Sequence, residues 1–71
     1  MFTTLIFQLV HYVRALAIDP NDVNALNYKG LALFSLGQHN ESIEYFDRVL
    51  NIDPNNFVAL DNKRLAIDNL R

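Results

Sequence analysis

The feature that most constrains the fold is a five-residue segment that occurs twice. Ile18–Asp22 reads Ile-Asp-Pro-Asn-Asp, and Ile52–Asn56, 34 positions later, reads Ile-Asp-Pro-Asn-Asn. A fixed period of this length is typical of proteins built from stacked structural repeats. One complete unit, Val23–Asn56, closes on the second copy of the segment, and the sequence on either side of it forms a half unit.

The similarity between units extends beyond this segment. A shift of 34 residues superimposes identical residues over about residues 9–71, whereas residues 1–8 share no identity with residues 35–42. The pairs outside the shared segment are Arg14/Arg48, Leu16/Leu50, Ala25/Ala59, Leu26/Leu60, Lys29/Lys63, Leu31/Leu65, Ala32/Ala66 and Leu36/Leu70.

Hydrophobic periodicity and helix-ending residues predict four helices and no strands. The expected ranges are Phe2–Ile18, Val23–Leu36, Glu41–Ile52 and Phe57–Leu70, with residues 38–40 as a turn. The two Asp-Pro pairs end the first and third helices, because a residue before proline is disfavoured in the helical region. Gly37 ends the second helix through its tolerance of left-handed dihedral angles.

Two positions carry further expectations about packing. Gly30 lies inside the second helix at a cost of about 1 kcal/mol relative to alanine, so we expect another backbone to approach it closely. The first helix has two apolar series and is apolar almost all round, so we expect it to be buried on most sides. The series are Leu5, Leu9, Tyr12, Leu16 and Ile6, Val10, Val13, Ala17, with Phe7 beside them.

The spacing of these residues resembles the tetratricopeptide repeat family. The residues that match its pattern are Leu26, Gly30, Leu33, Ser42, Phe46, Val49 and Pro54. The chain departs from the pattern with Leu26 for Trp, with Lys29 for Leu, and with Arg64 where the fourth helix would repeat Gly30.

The resemblance implies an all-α fold of antiparallel helix hairpins, stacked as an α-solenoid in a right-handed superhelix. In the order B-A-B-A, residues 1–20 would be the second helix of a preceding repeat. Residues 21–54 would form one helix-turn-helix repeat, and residues 55–71 the first helix of a following repeat.

The same resemblance implies a non-catalytic interaction module that presents a concave groove to a peptide or protein. The groove candidates are Asn24, Asn27, Leu31, Phe34, Val58, Asp61 and Leu65. The asparagines would bond a peptide backbone, and Leu31 and Phe34 would supply apolar contact. A clamp for a terminal carboxylate is not expected. Asn62 fits one position of the family's clamp, but Asn27 and Leu31 stand where the clamp needs Lys and Asn.

Nothing in the sequence points to catalysis, a cofactor or a metal. Ser35 and Ser42 have no neighbouring base, and Glu41 and Glu44 are explained by the dipole at a helix start. The histidines, His11 and His39, lack the spacing of a metal site.

Charge and hydropathy bound the partners. Six basic and eight acidic residues are mixed along the 71-residue chain, which argues against nucleic acid, where Lys and Arg cluster. No stretch approaches the ~20 apolar residues of a membrane span, and no polybasic anchor is present. The absence of cysteine is compatible with a reducing compartment, so we expect the protein in the cytoplasm.

The alternative to a peptide-binding module is a self-assembly unit, because incomplete repeats at both ends leave apolar faces that another copy could cover. A dimer is favoured, with helix exchange at Asp19-Pro20 or at Gly37 equally acceptable. The self-association candidates are Leu5, Ile6, Leu9, Val10, Val13 and Leu70. A third possibility is a segment of a longer array.

Overall fold

Four α-helices make up the described part of the chain. The computed structural model describes residues 2–70, and gives side chains for residue 7 and residues 10–70. The helices are α1 (Phe2–Ile18), α2 (Val23–Ser35), α3 (His39–Ile52) and α4 (Phe57–Asp68). The prediction of four helices and their order is confirmed. The turn over residues 38–40 is shorter than expected, because α3 already begins at His39 with Gln38 as its N-cap.

The two helices that follow the Asp-Pro segments begin in the same way. Asp22 Oδ1 accepts a hydrogen bond from the Ala25 amide at 3.1 Å, and Asn56 Oδ1 accepts one from the Ala59 amide at 3.0 Å. Each bond satisfies a backbone N–H at the start of a helix that has no partner within the helix. The repeated segment therefore ends one helix and caps the next.

The turn between α2 and α3 depends on Gly37. This residue has a φ of +82°, in the left-handed region. Its amide donates to the carbonyl of Phe34 at 3.0 Å, and the Gln38 amide donates to the carbonyl of Leu33 at 2.9 Å. These two bonds form a Schellman motif, which closes the α2–α3 hairpin as the position of Gly37 predicted.

The helices pack in chain order. Helix α2 contacts α1 and α3, α3 also contacts α4, and α4 lies against α2 as well. The fully buried core is formed by Leu26 of α2, Phe46 and Val49 of α3 and Ala59 of α4. Helix α1 reaches this core through Leu16. The central hairpin and α4 therefore share one core, to which α1 is attached from one side.

Gly30 is explained by a side chain and not by the backbone approach that its position suggested. A Cβ atom added at Gly30 would lie 2.6 Å from Cε1 and 2.9 Å from Cζ of Phe46. Phe46 has no exposed surface, so its ring occupies the space that any larger residue at position 30 would need. The glycine lets the Phe46 ring pack directly on α2.

The expectation that α1 is buried on most sides is wrong. Within residues 2–70, α1 packs against α2 and against no other helix. Tyr12, Ala15 and Leu16 face α2 and are half-buried. Phe7 is 70% exposed, and Val10 and Val13 are each 45% exposed. Among the side chains that the structure describes, Tyr12 and Leu16 of one apolar series are thus partly covered, whereas Val10, Val13 and Ala17 of the other are exposed.

Candidate functional site

Helices α2 and α4 each present an accessible line of side chains along one face. On α2 this line, the α2 strip, consists of Asn24, Tyr28, Leu31 and Ser35, at spacings of four, three and four residues. The equivalent α4 strip consists of Val58, Asn62, Leu65 and Asn69, each 34 positions later. Helical geometry places residues at these spacings on one side of a helix.

The strips combine exposed apolar groups with polar ones. Tyr28 is 49% exposed, Val58 50% and Leu65 51%, while Leu31 packs partly against the core. At the far end of each strip a polar side chain bonds back to its own helix. Ser35 Oγ donates to the Leu31 carbonyl at 3.0 Å, and Asn69 Nδ2 donates to the Leu65 carbonyl at 2.8 Å.

Asn27 joins the two helices and is not an accessible groove residue. It is only 6% exposed. Its Nδ2 donates to Oδ1 of Asn56 at 3.3 Å, the oxygen that also caps α4. This contact holds the start of α4 against α2. The expectation that Asn27 offers its amide to a bound peptide is therefore contradicted by its position between the helices.

Phe34, another groove candidate, is partly occupied by a contact within the hairpin. Its ring packs edge-on against the ring of His39, with centroids 4.9 Å apart and planes at 63°. Asn24 and Asp61, by contrast, are exposed. Of the predicted groove residues, the structure leaves Asn24, Val58, Asp61 and Leu65 most accessible.

Tyr28 is the accessible residue that the sequence reasoning missed. Its ring stacks on that of Tyr12 from α1, with centroids 4.8 Å apart and an interplanar angle of 13°. The stack fixes the Tyr28 ring while leaving about half of the side chain exposed. The signal was present in the sequence, because Tyr28 follows Asn24 by four residues and so shares its face of the helix.

Comparison with known families identifies this arrangement. Residues 23–56 match the family model described as tetratricopeptide repeat, with the same bounds as the unit that the period defines. The chain therefore contains a tetratricopeptide repeat. No curated protein matches the chain. Tetratricopeptide repeats generally mediate protein–protein interaction and are typically non-catalytic.

The edge of the repeat between α2 and α3 carries two cations over one aromatic ring. Lys29 Nζ lies 4.6 Å from the centroid of the Tyr45 ring, and the guanidinium carbon of Arg48 lies 5.2 Å from it. Both distances are within the range of cation–π attraction. Lys29, which departs from the family's usual leucine, is thus stabilised by the repeat's own tyrosine.

A single ion pair connects α3 and α4 among the described residues. Lys63 Nζ lies 2.6 Å from Oδ1 of Asp47, and both side chains are partly exposed. Exposed pairs of this kind contribute little to stability, typically under about 1 kcal/mol. The pair is therefore a minor contribution to the packing of α3 against α4, which share the buried core.

The structure gives no cluster that suggests metal chemistry. Within the described residues, no group of three or more His, Cys, Asp or Glu side chains is arranged to hold an ion. His11 packs edge-on against Tyr12, with centroids 5.6 Å apart. Among the helices described, none combines the length and the apolar character that crossing a bilayer requires.

The self-association candidates fall into two groups. Val10 and Val13 are each 45% exposed and Leu70 is 49% exposed, so these three are available at the surface. The side chains of Leu5, Ile6 and Leu9 lie outside the described residues. On α1, accessible apolar surface is therefore shown for Val10 and Val13 of the predicted set.

Proposed function

We propose that this chain is an interaction module that binds an extended segment of a partner protein along the α2 and α4 strips. In this proposal the two strips line the concave side of the repeat, and the partner segment crosses them. The chain is further proposed to contain the second helix of one repeat in residues 1–20, a full repeat in residues 21–54, and the first helix of another in residues 55–71.

The observation that supports the proposal is the recurrence of the strip itself. A leucine occurs in each strip at the same repeat position: Leu65 of α4 is 51% exposed, and Leu31 of α2 is half-buried. A polar residue that can bond a peptide backbone accompanies it in each strip. The two lines on neighbouring helices therefore offer an extended chain an apolar contact at the same repeat position, with polar side chains at different positions beside it.

The proposed segment is mainly apolar and carries a basic residue. Tyr28, Val58 and Leu65 offer exposed apolar surface, and rigid tyrosine side chains are frequent binding hot spots. Asp61 is exposed on α4 within one turn of both Val58 and Leu65. A lysine or arginine in the partner can approach this carboxylate from solvent.

The test is selection of peptides from a random display library with the intact chain as bait, followed by titration. Tyr28→Ala should weaken the binding of a selected peptide by about 30-fold or more, the usual effect of truncating an interface hot spot. The matched control is Glu44→Ala, which removes an exposed side chain on α3 away from both strips. Its affinity should equal that of the unmodified chain.

Nuclear magnetic resonance can locate the bound peptide directly. The proposal expects the largest chemical-shift changes at Tyr28, Leu31, Val58 and Leu65. A peptide that shifts residues of α1 or the outer face of α3 instead, or a Tyr28→Ala variant that binds with full affinity, would contradict it.

A second candidate function is self-assembly. The exposed apolar residues on α1 specifically favour it, since the largest apolar patch on a protein surface is often an interaction site. The two functions use different faces of the molecule and are compatible with each other.

A further inference from the structure

Helix α1 is more apolar than the equivalent helix α3, most clearly along one face. Among the residues whose side chains the structure describes, the period of 34 residues pairs four apolar residues of α1 with polar residues of α3. The pairs are Phe7/Glu41, Val10/Glu44, Val13/Asp47 and Ala17/Asn51. We call the four residues of α1 the outer stripe.

The same positions on α3 face solvent in a helix that is packed on both sides. Helix α3 contacts α2 and α4, yet Glu41, Glu44 and Asn51 remain exposed and Asp47 is only half-buried. Glu41, Glu44 and Asn51 are therefore not positions that repeats use to stack on each other. Asp47 touches α4 only through its partly exposed ion pair with Lys63. Apolar residues at the equivalent positions of α1 are unexplained by the packing of the repeat.

The stacking positions of α1 are distinct and are already used. Phe46, Val49 and Leu50 of α3, which pack in or against the core, are equivalent to Tyr12, Ala15 and Leu16. These three residues of α1 are the half-buried ones that face α2. The outer stripe is thus a second apolar surface on the opposite side of the same helix.

We propose that the outer stripe docks against the outer stripe of a second copy of this chain, as an antiparallel pair of α1 helices about a twofold axis. Val10, Val13 and Ala17 follow one another at spacings of three and four residues. Alternating spacings of three and four form the seam of paired helices. A twofold axis lets one such patch serve as its own partner.

Charge favours the antiparallel orientation. Arg14 is the only charged residue in the sequence of α1. In a parallel pair the two Arg14 side chains would stand at the same level of the seam and repel each other. Antiparallel pairing about a point between Val10 and Val13 moves them toward opposite ends.

The exposed area fits a weak dimer. Phe7 is 70% exposed and Val10 and Val13 are 45% exposed, which with Ala17 leaves on the order of 300 Å² of apolar surface per copy. Two copies would bury about 600 Å², and at ~65% apolar content the whole interface would cover about 900 Å². Interfaces below ~1,200 Å² are typical of weak or transient complexes, so dissociation in the micromolar range is expected.

A head-to-tail assembly, in which α1 of the next copy completes a hairpin with α4, is disfavoured by Arg64. This residue occupies the position of Gly30, and Tyr12 occupies that of Phe46. In the observed hairpin even a Cβ atom at position 30 would lie 2.6 Å from the Phe46 ring. The same geometry between copies would force the Arg64 side chain into Tyr12. The assembly should therefore stop at two copies.

The first experiment measures solution mass by light scattering from low micromolar to millimolar concentration. The full chain should pass from monomer to dimer and no further. The Val10→Glu/Val13→Asp variant, which installs the residues of α3, should stay monomeric with unchanged helical content. Phe57→Ser is the control, because Phe57 is 78% exposed on α4, and it should dimerise normally.

Three outcomes overturn the proposal. They are a monomer at every concentration, a mass that keeps rising beyond the dimer, and a Val10→Glu/Val13→Asp variant that still dimerises. Capture of the unmodified chain by anionic phospholipid vesicles, lost in that variant while the mass stays monomeric, would assign the outer stripe to a membrane surface instead.

Cysteine cross-linking tests the geometry without removing the apolar surface. The chain contains no cysteine, so each introduced thiol reports on one position. In an equal mixture of Val10→Cys and Val13→Cys chains, the mixed disulfide should make up clearly more than the half of all disulfides that random pairing would give. The control is Ile52→Cys, since Ile52 is 46% exposed and Val13 45%, and it should cross-link only slowly. A mixed disulfide at or below half of the total, or equal reaction at position 52, would overturn the antiparallel pair.

Discussion

Replacing Gly30 with alanine should destabilise the repeat, although alanine is the better helix former. In an unconstrained helix interior this change gains about 1 kcal/mol. Here the new Cβ would lie 2.6 Å from Cε1, 2.9 Å from Cζ and 3.0 Å from Cδ1 of Phe46. Carbon atoms at optimal contact are about 3.5–4.0 Å apart, so the ring must move by about 1 Å.

The surroundings of Phe46 leave the ring no free space to enter. Leu26, Val49 and Ala59 pack in the same cluster, and all three are fully buried. Overpacking in a well-filled core costs about 1–3 kcal/mol, and the rigidity of this site places Gly30→Ala at the upper end. After the gain in helix propensity is subtracted, we expect a net loss of about 1–2 kcal/mol, which lowers the Tm by about 5–15 °C in a domain of this size.

The assay is urea and thermal unfolding followed by circular dichroism, in two backgrounds. In a Phe46→Leu background the clash is relieved, because the shorter side chain vacates the region beside Gly30. There Gly30→Ala should stabilise the chain by about 0.5–1 kcal/mol, the ordinary difference in helix propensity. The sign of the effect therefore depends on residue 46.

Gly37→Ala is the matched control. Gly37 has a φ of +82° and no atom within 4 Å of an added Cβ, so its substitution costs about 1–2 kcal/mol through backbone conformation alone. This loss should be the same in both backgrounds. If Gly30→Ala stabilises the unmodified chain, or costs the same with phenylalanine and leucine at position 46, steric exclusion by the ring is not the reason for the glycine.

Three further changes test other contacts by the same unfolding measurements. Asp22→Ala should cost about 1 kcal/mol as the loss of a helix cap, whereas Asn56→Ala should cost about 2 kcal/mol because it also leaves the buried amide of Asn27 without its acceptor; equal losses would contradict the shared role of Asn56. Leu26→Ala should cost about 2–5 kcal/mol by opening a cavity in the core, and a loss under 1 kcal/mol would mean that the helices close over it. Asp47→Ala breaks the exposed ion pair between α3 and α4 and should change stability by less than about 0.5 kcal/mol, with no effect left in high salt.

The order and bounds of the helices could be predicted because their signals are local. A proline, an aspartate or a glycine determines where a helix ends through its own backbone preferences, so Ile18, Gly37 and Ile52 mark boundaries without reference to the rest of the fold. The exact start of α3 was harder to predict, since Gln38 caps this helix without a side-chain hydrogen bond.

The candidate site was predicted less well because it depends on contacts between distant residues. Asn27 and Asn56 are 29 positions apart, and only the placement of α4 against α2 reveals that Asn27 is buried. Periodicity likewise identified two apolar series on α1 but could not tell which one faces α2. The series that faces α2 is determined by the packing of Tyr12 and Leu16 against that helix. The hydrophobic pattern of α1 alone carries no information about this contact.

Attachment of α1 through a single neighbour makes it the part of the fold that should open first. Detaching α1 disrupts only its contacts with α2, including the stack of Tyr12 on Tyr28, and spares Phe46 and Val49 at the centre. Native-state hydrogen exchange should therefore show the amides of α1 exchanging through a partial opening, and those of α2 and α3 only through global unfolding. Because Tyr28 belongs to the α2 strip, that opening would also release its ring, and peptide binding and detachment of α1 would become coupled equilibria.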